Sequence, residues 1–185
     1  PPGPLRLLAV AMMRPGDKLA SYAALAEALA RPEAPDLRLD IVGDGADRGA
    51  VEALFAPLAP RVRFLGAEAD PARLRRAMEA ADLLVWPGVN EGFGMVYLEA
   101  QAAGLPALAE DRPGPRHVLP APPAGLPLPP PGDPAAYAAT LAALDADRAR
   151  LAALRGTARA HAEARHGLEA ASARLRELLT PLLRR

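Results

Sequence analysis

The stretch Asn90-Glu91-Gly92-Phe93-Gly94-Met95-Val96-Tyr97-Leu98-Glu99-Ala100 carries the densest chemistry in this 185-residue chain. Gly92 and Gly94 let backbone amides approach an anion closely where a helical pattern begins, and a helix N-terminus favours negative charge there. A carboxylate beside a bound diphosphate is repelled by it, so Glu91 and Glu99 need another task. An ionised carboxylate accepts hydrogen bonds from two neighbouring hydroxyls, which suits sugar or ribose diols. Two glutamates flanking an anion-binding turn therefore describe a ligand with phosphate in the middle and sugars at both ends. The plainer alternative is that Glu91 steadies the helix start and Glu99 is a surface residue. A second cluster, Met12-Met13-Arg14-Pro15-Gly16-Asp17-Lys18, sets two cations four residues apart where a strand pattern turns into a helix. Arginine as a planar fork and lysine as a point charge can clamp a diphosphate, although both can equally be solvated charges. Lys18 is the only lysine in a chain that otherwise uses arginine, which suggests a specific need for an ammonium.

These loops require elements to hold them. Apolar runs alternate with helical patterns. Strands are expected at Leu5–Met12, Leu37–Val42, Val62–Leu65, Leu83–Trp86 and Leu105–Ala109. Helices are expected over Lys18–Leu29, Arg48–Ala59 and Pro71–Ala80, and from the end of the Pro87–Gly94 loop to about Ala103, capped by Gly104. Repeated strand–helix alternation predicts an α/β fold with a parallel sheet of about six strands, helices on both faces and right-handed crossovers. Ligands of such sheets bind beyond the carboxyl ends of the strands, where both clusters fall. Ten prolines between residues 113 and 134 predict an extended loop with at most one short strand near Leu126–Leu128. Helical patterns at Ala135–Asp145, Arg148–His166 and Leu168–Leu183 are expected to pack back, making residues 1–185 one domain with a Pro-rich loop at 113–134 and a helical segment at 135–185.

Composition narrows the classes. Basic and acidic residues balance at 22 each, which argues against a nucleic-acid binder. Without cysteine there is no disulfide scaffold, thiolate zinc site or cysteine nucleophile. No apolar run is long enough to span a bilayer and no secretory signal opens the chain, so a cytoplasmic location is expected. The opening Pro1-Pro2-Gly3-Pro4, without methionine, reads as a cut at a linker. Aromatic residues are few (one Trp, three Tyr, three Phe), so each position is informative.

Taken together, the Val42-Gly43-Asp44-Gly45 turn, Phe64-Leu65-Gly66, Ala81-Asp82-Leu83-Leu84-Val85-Trp86-Pro87, the Glu91-x7-Glu99 motif and Gly104-Leu105-Pro106 resemble the C-terminal, donor-binding domain of retaining family-four (group 1) glycosyltransferases. The resemblance runs from about Leu5 to Asp133. It implies one Rossmann-like, three-layer α/β/α half of a GT-B fold, and a hexosyltransferase activity that needs no metal or other cofactor. The implied ligand is a nucleotide-diphosphate sugar such as a UDP-, GDP- or ADP-sugar. The implied catalytic residues are Arg14 and Lys18, on the donor diphosphate, and Glu91, on the transferred sugar. Gly92, Phe93 and Gly94 are implied to contact sugar and phosphate through their amides, and Glu99 to take the ribose hydroxyls. The base is implied near Phe64, Leu65 and Gly66, mainly on backbone groups. The acceptor would belong to an N-terminal domain absent from this sequence, so the isolated piece is expected to be inactive. No nucleic-acid partner is expected, and any peripheral membrane association would run through the absent half. The sequence departs from the family at the first strand end, where Val10-Ala11-Met12-Met13-Arg14 stands in place of Val-Gly-Arg, and after the fifth strand, where Arg112-Pro113-Gly114-Pro115-Arg116-His117 replaces a Gly-Gly turn and a glutamate.

Other readings use fewer of these residues. Gly43-Asp44-Gly45-Ala46-Asp47-Arg48-Gly49 approaches a dinucleotide fingerprint with its third glycine one place late, and Glu68 is its candidate ribose acceptor. That describes an NAD-type oxidoreductase domain and leaves Lys18, Glu91 and Glu99 without a task. A non-catalytic nucleotide-sugar binding module is the third reading. Asp44 and Asp47 resemble a partial metal site with no further ligand close in sequence. Arg73, Arg75 and Arg76 read as a solvated helix face, His117 reads as a surface residue or one that reaches the site, and His161 and His166 carry no assigned role.

Overall fold

The computed structural model describes residues 3–183. Pro1 and Pro2 of the proline-led opening, and Arg184 and Arg185 of the C-terminal segment, lie outside the described residues. Five parallel strands form one sheet: β1 (Leu5–Val10), β2 (Leu37–Val42), β3 (Val62–Gly66), β4 (Leu83–Val85) and β5 (Ala107–Leu108), in the order β3-β2-β1-β4-β5. β1 pairs with β2 from Leu5↔Leu37 to Val10↔Val42, and its other edge pairs with β4 at Leu7↔Leu83. The chain thus moves outward from β1 to β3 and returns to the opposite side of β1. This reversal opens a crevice at the carboxyl ends of β1 and β4.

Right-handed crossovers decide which face each helix covers. α1 (Asp17–Leu29) and α2 (Arg48–Phe55) follow the outward path and pack together. α3 (Pro71–Ala80) and α4 (Met95–Ala102) follow the return and pack on the opposite face. α6 (Pro134–Ala146) joins α1, and α7 (Arg148–His166) crosses the sheet to cover α4. The result is the three-layer arrangement the alternation requires. α8 (Leu168–Leu183) ends the described chain and leaves Leu168, Leu175, Leu178, Leu179 and Leu182 exposed. Among the described residues no helix is long and apolar enough to cross a membrane.

Two expectations are corrected. The sheet has five strands, not six, because Leu126–Leu128 makes no ladder. Leu126 is instead buried as a single side chain, and Pro129 next to this stretch gives the sheet end one bond, Asp111 N to the Pro129 carbonyl at 2.7 Å. The proline-rich segment also contains a helix, α5 (Pro113–Val118). Pro113 and Pro115 stand in its first turn, where the amide they lack has no helical partner, so they cost nothing there.

All three tyrosines are buried, and each donates its hydroxyl to a backbone carbonyl at or just beyond a strand end. Tyr22 bonds Ala11, Tyr97 bonds Trp86 and Tyr137 bonds Leu108, at 2.8, 3.0 and 2.9 Å. Burial raises the pKa of all three phenols, which keeps them protonated as donors. The carboxyl edge of the sheet is therefore fixed from beneath, and the loops above it start from rigid positions.

Candidate donor site at the carboxyl edge of the sheet

The crevice between β1 and β4 brings the two sequence clusters together. Lys18, in the first turn of α1, reaches Glu91 in the β4–α4 loop, with Nζ 2.6 Å from Oε2. Both side chains are about four-fifths buried, at 19% and 18% exposure, so this pair is more than a solvated surface bridge. Polar stitches hold the two loops at this spacing. Asn90, with φ of 48°, donates from Nδ2 to Asp17 Oδ1 at 2.9 Å. The Val89 amide donates to Ser21 Oγ at 2.9 Å, and that hydroxyl donates to the Asp17 carbonyl at 2.8 Å.

α4 begins at Gly94, in the left-handed region at φ 78°. A Cβ there would lie 2.4 Å from the Tyr97 ring, so both conformation and packing demand glycine. Gly92 is exposed with open space around it, and the Phe93 side chain is half exposed. Gly92 and Phe93 of this turn are thus exposed, while Gly94 is buried. On the other side, α5 abuts the loop so closely that a Cβ on Gly114 would meet the Glu91 carbonyl oxygen at 2.0 Å.

Glu99 lies further along α4, at the rim of a cavity of about 370 Å³ between α3 and α4 that Glu68, Pro71, Leu74 and Met78 also line. Partial burial raises its carboxyl pKa, as expected for an acid on an apolar rim that makes no ion pair among the described residues. Nearby, the Phe64 ring turns into the core and meets Phe55 edge-on at 6.3 Å between centroids, while Leu65 points outward. The Gly66 carbonyl accepts from the Gly43 amide at 2.8 Å. Phe64 can thus offer a ligand only its backbone. Arg14 is exposed on the loop before α1 and makes no ion pair among the described residues, so the structure brings Lys18, not Arg14, to Glu91.

The weaker signals have structural explanations. Asp44 Oδ1 accepts from the Gly45 amide, and its other oxygen pairs with Arg48. Gly43 and Gly45 press against the carbonyls of Ala11 and Met13, where any side chain would clash, so this fingerprint packs two loops together. Among the described residues no group of three metal-ligating side chains occurs. Arg73 and Arg75 pair with Asp70 and Glu79 on an exposed face, and His117 is exposed on α5.

Sequence reasoning missed three contributors. Trp86, fully buried, directs its indole Nε1 to Glu91 Oε2 at 3.4 Å, and the Lys18 ammonium sits 5.5 Å above its ring. Its being the only tryptophan was the available signal. Glu110, 3% exposed, accepts from Arg112 Nε at 2.7 Å and from the Gly132 amide at 3.1 Å, tying β5 to the end of the proline-rich segment. At the end of α7, His166 meets Phe93 edge-on at 6.3 Å and His161 at 5.6 Å. No local pattern announces that contact, because it depends on how α7 crosses α4.

Comparison with known proteins agrees with this geometry. The family described as Glycosyl transferases group 1 matches residues 4–147. A D-inositol 3-phosphate glycosyltransferase of Rhodococcus opacus is 36% identical over 147 residues, 76% of this chain and 32% of that protein. A GDP-mannose-dependent alpha-mannosyltransferase of Mycolicibacterium smegmatis is 39% identical over 84 residues, 45% of this chain and 21% of that protein. Among solved structures, the sucrose-phosphate synthase of Thermosynechococcus elongatus superimposes with a TM-score of 0.82 at 29% identity, over 97% of this chain and 46% of that one. The chain therefore spans about a third or less of those two relatives' length and about half of the solved structure.

Proposed function

The chain belongs to the group 1 glycosyltransferases, and from that premise we propose that it is the donor-binding half of a retaining hexosyltransferase that uses a nucleotide-diphosphate sugar. The observation that carries this reading is the convergence of Lys18, Glu91 and the N-terminus of α4 on one crevice, with Glu99 further along the same helix. Lys18 and the amides of Gly92, Phe93 and Gly94 bind the diphosphate, and they stabilise the charge that grows on it as the glycosidic bond breaks. Glu91 holds the hexose and Glu99 the ribose. Arg14 swings in from the rim to the outer phosphate. The base rests against the backbone of Phe64, Leu65 and Gly66. The reaction draws on no metal or other cofactor, because cationic side chains and helix amides carry the leaving-group charge.

Acceptor binding belongs to a second, N-terminal domain. Supporting this, Met12, Leu65, Phe93 and Met95 expose 58%, 51%, 48% and 59% of their surface around the crevice, an apolar rim suited to a covering lobe. The whole enzyme works in the cytoplasm, and any membrane contact is made through that other lobe. The GDP-mannose dependence of one relative supports a nucleotide sugar as ligand. A thermal-shift and calorimetric panel of UDP, GDP, ADP and NAD tests the reading. A nucleoside diphosphate stabilises the chain and NAD does not. Stabilisation by NAD alone would overturn the proposal.

A further inference from the structure

Glu91 Oε2 receives two donors at once: the Lys18 ammonium at 2.6 Å and the Trp86 indole N–H at 3.4 Å. The second bond is longer than the 2.7–3.2 Å usual for N–H to oxygen, as expected when a cation already holds the acceptor. Trp86 itself has no freedom to turn away. It is fully buried, its ring meets Tyr22 edge-on at 4.9 Å, its amide donates to the Leu108 carbonyl and its own carbonyl accepts from Tyr97. The one lysine thus neutralises the carboxylate of the β4–α4 loop, above a rigid aromatic floor within cation–π range of the ammonium.

A diphosphate entering beside this pair competes for the same ammonium. Once Lys18 turns to it, Glu91 loses its close cationic partner while a new polyanion lies alongside, and repulsion would drive the carboxylate out of the site. The geometry points to Trp86 as the positioning residue that prevents this: its fixed N–H retains Glu91 when the donor takes Lys18, so the Lys18–Glu91 bridge is a latch that donor binding opens and the indole keeps the released carboxylate aimed at the hexose. This inference rests on the donor-site reading above, and it adds a residue and an exchange of partners that the reading does not require. The indole acts through Glu91 and touches no reacting atom.

Because Trp86 is the only tryptophan, its emission reports on this site alone. In the ligand-free 185-residue chain, Glu91→Gln and Lys18→Met each shift the emission maximum or intensity, while the distant exposed Glu52→Gln does not. Unchanged emission in both site variants would overturn the coupling, and this readout needs neither a ligand nor a Trp86 variant that folds. Calorimetry then compares UDP, GDP and ADP with their hexose conjugates. Trp86→Phe, which keeps the ring and removes the N–H, leaves nucleoside diphosphate affinity within about twofold. It reduces the extra affinity contributed by the hexose about tenfold or more, the size expected for one hydrogen bond to a charged group. An unchanged hexose contribution, or none in the wild type, would overturn the exchange. If no nucleoside diphosphate binds at all, the donor-site reading fails and the exchange with it, and the emission result still decides whether Trp86 and Glu91 are coupled.

Discussion

Lys18 and Glu91 stand 73 positions apart in sequence, and their charged atoms lie 2.6 Å apart in the fold. A lysine that pairs with Glu91 and, as proposed, with the donor diphosphate should matter to phosphate and little to the base. Lys18→Ala is accordingly expected to weaken nucleoside diphosphate binding about tenfold or more and to leave binding of the free nucleoside unchanged, as read by calorimetry. Glu99 should behave differently, since a ribose contact is common to nucleoside and nucleotide: Glu99→Ala weakens both. The same residue carries a stability cost. Burial holds its pKa above the ordinary 4.5, so the folded state disfavours the ionised form, and stability present below pH 4.5 is lost as pH rises through the folded value. Glu99→Gln is thus expected to melt slightly higher than wild type at pH 7, with the gap closing below pH 4.5. Solvent screening at this exposed rim keeps the gain small. A neutral variant that is more stable and binds worse is the signature of a functional carboxylate.

At the scale of elements, the site depends on contacts between helices and loops from distant parts of the chain. α5 presses on the loop that bears Glu91, and Gly114→Ala would set a methyl group 2.0 Å from its carbonyl oxygen. That overlap is with backbone, so the loop or the helix must move. We expect a loss of about 1–3 kcal/mol in denaturant unfolding together with weaker donor binding. At the opposite end of the sheet, Asp82 ties the start of β4 to β1. Burial pushes its pKa up, and bonds from the Arg6 side chain and amide, at 2.6 to 3.2 Å, outweigh that and hold it below the usual value. A depressed carboxyl contributes stability above its unfolded pKa of 3.8 and loses it as pH falls through the folded value. Asp82→Asn should therefore destabilise the chain at pH 7 and converge on wild type in strong acid, with donor affinity unchanged. The helices and their order were legible because apolar runs and 3.6-residue patterns alternate without interruption. α5 was not, because ten prolines mask a turn in which prolines at the start are harmless.

At the scale of the whole molecule, Met12, Leu65, Phe93 and Met95 and the leucines of α8 leave large apolar side chains exposed. With acceptor binding assigned to another lobe, the purified chain is expected to bind nucleoside diphosphates without transferring sugar; ligand at a hundred times its Kd should raise stability by about 2.7 kcal/mol. Measurable transfer to any acceptor by these residues alone would contradict the divided site. Much of this was determined by the sequence itself. The period of the apolar residues determined the class of fold, and the glycines and carboxylates of residues 90–99 and the lone lysine singled out two candidate loops, without showing that Lys18 and Glu91 pair. These are local properties, set by backbone conformation, side-chain charge and spacing along the chain. The tertiary structure decided which of two cations faces Glu91, that the Phe64 ring points inward, that Leu126–Leu128 adds no strand, and that a buried indole lies beneath the ion pair. Those facts depend on the strand order that places β4 beside β1, and on helices crossing from the far end of the chain, where contact is a matter of packing in space and leaves no spacing in sequence to read.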